Sequence, residues 1–145
     1  MRYGEAPIIA VTDAGTTDNE MREMKTFCPV FKGKKTFTSL INVGFQHTLA
    51  GWNFVVMAGT TMRASLDRKM SYFVNSEKDI LFPIANNKWN FVEATLNGLL
   101  IHKKTFKEVG DMPNEGSLEM AKAEWALNAA DRGCTFKAII GAKLC

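Results

Sequence analysis

The sequence predicts an α/β domain, an open, mostly parallel, Rossmann-like sheet with helices on both faces. Three observations predict it. Short unbroken apolar runs ending at Asp or Gly alternate with stretches of helical periodicity, the pattern of strand, helix and strand units. The first run, Pro7-Ile8-Ile9-Ala10-Val11-Thr12, is rich in β-branched residues and lacks polar alternation, so it reads as a strand buried on both faces inside a parallel sheet. Finally, 145 residues with 46% hydrophobic and 23% charged composition fit one packed domain over 1–145, with no internal repeat, low-complexity segment or linker to divide it.

The elements follow in order. After the strand at 7–12 comes the turn Asp13-Ala14-Gly15-Thr16-Thr17-Asp18, and Thr17 with Glu20 three residues on makes a capping box. Met21, Met24 and Cys28 then recur at helical spacing, so a strand-turn-helix unit covers about 7–27. Phe37, Leu40, Ile41, Gly44, Phe45, Thr48 and Leu49 keep one apolar face and predict a second helix, stopped at Gly51. Residues 52–57 read as a buried strand and 62–73 as a helix with Leu66, Met70 and Phe73 on one side. Residues 79–84 predict a strand, Asn86-Asn87 a turn, and 88–101 one or two strands broken near Asn97-Gly98, with antiparallel pairing open in this middle part. The last helix spans about 117–132 with Met120, Ala123, Leu127 and Ala130 as its stripe, Gly133 stops it, and 134–140 closes the domain as a strand.

Composition narrows the function classes. A net charge of +3 with scattered basic residues lacks the concentrated stripe that tracks phosphates, so no nucleic-acid partner is expected. Cys28, Cys134 and Cys145 are an odd number without zinc or redox spacing, which points to a reducing compartment. The opening residues lack the apolar core of a signal peptide, and no apolar run approaches the roughly 18 residues of a membrane helix. The expectation is a cytoplasmic protein with no membrane partner.

The turn at 13–18 carries the chemistry. A carboxylate leaves a buried strand, Gly15 permits the tight turn, and Thr16 and Thr17 lead into a helix whose exposed N–H groups favour anions. The same residue types also make good turns and caps with no ligand. In an open sheet, ligands sit at the carboxyl ends of the strands, so the turns after 12 and 57 are the places to look.

The run from Pro7 to Asp18 resembles the segment V-D-N-G-S-T-D of nucleotide-sugar glycosyltransferases of the GT-A fold, particularly the large inverting family-two group. Asn42-Val43-Gly44-Phe45 and Ala50-Gly51 resemble that family's N-x-G helix and the A-x-G before its second core strand. The stretch from Asn97 to Gly110 resembles its acceptor-side segment, and Glu119 to Gly133 with Cys134-Thr135-Phe136 its late helix and closing strand. The resemblance implies a nucleoside-diphosphate-sugar site using Asp13, Gly15, Thr16, Thr17, Asn42 and Thr60. It also implies transfer of the sugar to a hydroxyl acceptor, with Glu124 as base.

The sequence departs from that pattern at three places. Where the family carries its D-x-D motif this chain has Ala58-Gly59-Thr60-Thr61, and a divalent ion bridging a diphosphate needs carboxylate oxygens, so a metal cofactor is not expected. Where the family has its E-D acids the chain reads Ala121-Lys122-Ala123-Glu124, leaving Glu124, with Glu119 a turn earlier, to take the acceptor proton. The family's usual first strand has no counterpart before Pro7, so the expectation is a fragment, a strand supplied by a partner, as a second copy does by strand exchange, or a branch that does without it.

His47 and His102 have no zinc partners at ligand spacing, and no hydrolase, Walker or dinucleotide motif occurs. Trp52, Trp89 and Trp125 suit a sugar platform but are more often core. Three functions stay open: a nucleotide-sugar transferase, an inactive GT-A-like binding or assembly module, and an unrelated small α/β domain.

Overall fold

Local chemistry starts the chain's first unit as expected and then departs from it. In a computed structural model, which describes residues 2–3, 6–13, 15–34, 36–56, 71–83, 98–114 and 116–139, β1 (Arg2–Tyr3) and β2 (Ala6–Pro7) form a short antiparallel pair. Strand β3 (Ala10–Thr12) leads into α1 (Asp18–Lys25), whose N-cap Thr17 accepts the Glu20 N–H, and the chain returns as β4 (Val30–Lys32). β3 and β4 pair in parallel, Val11 opposite Phe31. A second capped helix follows, α2 (Phe37–His47), with Thr36 accepting from the Ser39 N–H.

The larger sheet comes next, with β5 (Trp52–Val55), β6 (Asp79–Pro83) and β7 (Leu99–His102). Helix α3 (Lys103–Val109) starts directly from β7, α4 (Leu118–Asp131) follows, and β8 (Thr135–Ile139) closes the sheet in the order β5-β7-β6-β8. β7 runs antiparallel to both of its neighbours, whereas β6 and β8 are parallel.

The α/β class holds, but a mostly parallel sheet does not. Two pairings are parallel and three antiparallel among the described residues. The physical reason lies in β7. Its run Leu99-Leu100-Ile101 is buried on both faces, and such a run fixes burial without fixing strand direction, which the connections decide.

The first strand also differs from expectation. Only 10–12 of the 7–12 run form β3, its residues Ala10 and Val11 are half-buried, and among the described residues it pairs with β4 alone. The predicted helix at 62–73 lies outside the described residues for most of its length, as do the turn at Asn86-Asn87 and the stretch 88–97.

The main core sits between the larger sheet, α2, α3 and α4, and a chain of aromatic rings runs through its aliphatic packing. Phe45 stacks on Phe106 at 4.1 Å, Phe106 meets Trp125 at 5.6 Å, and Trp125 meets Phe136 edge-on at 6.4 Å. Burying the indole requires a partner for its N–H, and Trp125 Nε1 donates to the Gly110 carbonyl at 2.8 Å.

That anchor sets the rotation of α4 and corrects the predicted stripe. Ala121, Lys122, Trp125 and Ala129 face inward, while Met120 and Leu127 are 69% and 68% exposed. Both faces of this helix are apolar, and the bulkier tryptophan face takes the core.

Candidate functional site

The turn after β3 is organised by its own side chains. Asp13 Oδ1 accepts the Gly15 N–H at 2.8 Å and the Asp13 carbonyl accepts the Thr16 N–H at 3.2 Å, an Asx turn of the kind these residues favour. A Cβ on Gly15 would stand 3.2 Å from Asp13 Oδ1, so glycine lets the carboxylate fold back over the turn. Thr17 Oγ1 accepts the Glu20 N–H at 3.2 Å, closing the N-terminus of α1.

The parallel pairing brings a second loop to the same end. Gly33 N–H donates to the Thr12 carbonyl at 2.8 Å, and Lys34 N–H donates to Ser39 Oγ at 3.0 Å on the first turn of α2. Two strand ends and the starts of two helices therefore converge, which is where α/β sheets place ligands. Asp18 and Glu20 in the first turn of α1 already oppose its positive end, which weakens its pull on a further anion.

Thr12 is the residue that sequence reading missed. It is 8% exposed, and its hydroxyl has no hydrogen-bond partner among the described residues. A buried unpartnered hydroxyl costs free energy, and one at a strand's carboxyl end invites a ligand to supply the missing bond. No sequence signal marks it, because its isolation arises from tertiary packing.

Of the remaining expected site residues, Asn42 and Glu124 belong to other elements. Asn42 is buried in α2, and its side chain clamps Met112, the amide donating to the Met112 carbonyl at 2.9 Å and the carbonyl accepting the Met112 N–H at 2.8 Å. Thr60 lies outside the described residues. Glu124 is exposed on α4, on the side away from the core, and Lys122 beside it is buried. Burial pushes the Lys122 ammonium below its ordinary value, and the nearby Glu119 works against that shift.

Other reactive groups have structural surroundings. Burial raises the Cys134 thiol, with Glu108 adding to the rise and Lys78 and Arg132 opposing it, so this is no activated nucleophile. No group of three or more His, Cys, Asp or Glu that could hold a metal ion occurs among the described residues. No helix among them is long and apolar enough to cross a membrane.

Open surface hollows lie elsewhere among the described residues, one of about 510 Å³ along 25–31 and one of about 470 Å³ lined by Leu49, Gly51, His102, Lys104, Lys107 and their neighbours. Neither contains a residue of the turn. No protein-family model matches the chain, and no curated protein matches it.

Proposed function

We propose that the chain is glycosyltransferase-like and binds a nucleoside-diphosphate sugar at the turn 13–17. One observation carries this reading. The turn stands at the carboxyl ends of a parallel strand pair, beside a helix N-terminus and the buried, unpartnered Thr12 hydroxyl. Asp13 takes the base or ribose, Thr16 and Thr17 lie near the diphosphate, and Gly15 keeps the backbone close. The family resemblance adds Thr60, while Asn42, which it also implies, spends both ends of its amide on Met112.

In the transfer reaction the acceptor oxygen bonds to the anomeric carbon, the bond to the diphosphate breaks, and Glu124 takes the acceptor proton. The nucleoside diphosphate leaves. A second reading, an inactive module that binds the donor without transfer, has its own support. Glu124 faces solvent on the far side of α4 from the core, and residues 58–61 carry no carboxylate for a metal.

Calorimetry with uridine and guanosine diphosphate sugars, with and without manganese, tests the donor. Binding to at least one of them is expected, and no heat from any would sink the reading. Asp13→Asn keeps the turn's hydrogen bond while removing the charge, and it should weaken binding about tenfold or more, the worth of a charged hydrogen bond. Unchanged affinity would move the site elsewhere. Binding without turnover selects the inactive module.

A further inference from the structure

Helix α4 is apolar on two opposite faces, and the core uses one of them. The outward face carries Met120, Ala123, Leu127 and Ala130, with Met120 and Leu127 more than two-thirds exposed. A helix with apolar residues on both sides is normally covered on both. Glu119, Glu124 and Asp131 are exposed on the same helix, and its only basic residue, Lys122, is buried. The outward face is therefore an apolar ridge with acidic margins.

The reverse signature lies around the hollow of about 470 Å³. Leu49 is 99% exposed on its lining, and Lys103, Lys104 and Lys107 stand beside it with His102, against Glu108 in the lining and Glu77 next to it. Lys104 is 3.9 Å from the exposed Glu77, and Lys107 makes no ion pair among the described residues. Here apolar surface has basic margins.

We infer that two copies of this chain dock head to tail, the α4 ridge of one seated on the hollow of the next, with Glu119 and Asp131 opposite Lys104 and Lys107. Leu127 and Met120 cover Leu49, and opposite charges fix the orientation. Two different patches meet, so the contact is heterologous and builds rings or chains unless a two-fold axis lets both contacts close one dimer. A helix of 14 residues is about 21 Å long and offers less than the ~800 Å² per partner of a standard interface, so association is expected at roughly micromolar concentrations.

Sedimentation velocity over a concentration series, at low and high salt, reads this directly. The weight-average mass should rise with concentration and fall with added salt, because the charge pairs are screened. Leu127→Asp should weaken association by about a hundredfold, in the range of an interface hot spot. D131K and K107E alone should each weaken it about tenfold, and the double variant should recover most of that loss, because the charges are then exchanged.

All three sites are exposed, so the fold should survive, which circular dichroism checks. A monomer at every concentration overturns the inference, as does association indifferent to Leu127→Asp. Association lost instead in Val11→Pro, which removes an N–H from the strand edge turned away from β4, overturns it in favour of strand exchange.

Discussion

The four-stranded sheet and the β3–β4 pair are built on opposite principles. In the larger sheet Ile80, Leu99 and Ile101 are fully buried under Trp125, and Leu81 is fully buried on the opposite face with Leu100 and Ile139. The β3–β4 unit with α1 has no fully buried apolar side chain, and its best-buried residue is Thr12, whose hydroxyl finds no partner. One region spends its residues on packing and holds the fold. The other keeps polar groups at a strand end, where packing gains nothing from them. α2 joins the two, with Ile41 and Phe45 in the core and Gly44 close enough to β3 that a Cβ there would lie 3.5 Å from Val11.

The largest expected effect breaks the first region. Trp125→Ala removes the indole from between Phe106 and Phe136 and leaves the Gly110 carbonyl without its donor. Loss of a buried aromatic typically costs about 3–5 kcal/mol, a large share of a domain's stability. Urea unfolding should show most of that loss. A cost below ~1 kcal/mol would mean that the larger sheet does not carry the fold.

A smaller effect comes from the polar latch on that sheet's edge. Desolvation raises the Asp79 carboxyl, but the hydrogen bond from Lys137, the Asn75 and Ser76 N–H groups and the Lys137 charge outweigh it and hold the group below its ordinary value. Lys137 Nζ lies 2.8 Å from Asp79 Oδ2 and also donates to the Phe73 carbonyl at 2.9 Å, tying residues 73–79 to β8. Because the folded value is depressed, this stability is present in full above the unfolded carboxylate value. It is lost as pH falls through the folded one. Asp79→Asn should cost about 2–3 kcal/mol at neutral pH, and the gap to the parent should narrow as pH drops below about 4. Thermal midpoints across an acid series check this, and a gap independent of pH would refute it.

How far these regions could be read from the sequence follows from the same contrast. The helices near 17–27, 37–49 and 117–132 and the strands near 52–57 and 79–84 were legible because capping residues and apolar runs mark them locally. β4 was not, because three residues after Pro29 are too few to show a period. α3 hides behind an unusual cap, His102 Nδ1 accepting the Lys104 N–H at 3.1 Å, although Thr105, Phe106 and Val109 carry a helical spacing.

The rotation of α4 could not be read, since both of its faces are apolar and only contact with Phe106 and Phe136 decides between them. At the site, Asp13, Gly15 and Thr17 were legible as turn chemistry. Asn42 looked like a ligand residue because sequence does not reveal that its amide meets Met112, 70 residues away.

The smallest expected effect sharpens the second region. Thr12→Val keeps the side-chain shape and removes a hydroxyl that has no partner. Replacing an unsatisfied buried polar group by an apolar one of the same shape is nearly neutral or stabilising, so unfolding free energy should stay level or rise by up to about 1 kcal/mol. In the presence of a nucleoside-diphosphate sugar the sign reverses. If the hydroxyl bonds to the donor, affinity should fall by about tenfold, equivalent to ~1.4 kcal/mol, with the unliganded protein as stable as before. A variant that loses stability without ligand would show that the hydroxyl already has a partner. One that keeps both stability and affinity would remove Thr12 from the site while leaving the turn beside it to be tested through Asp13.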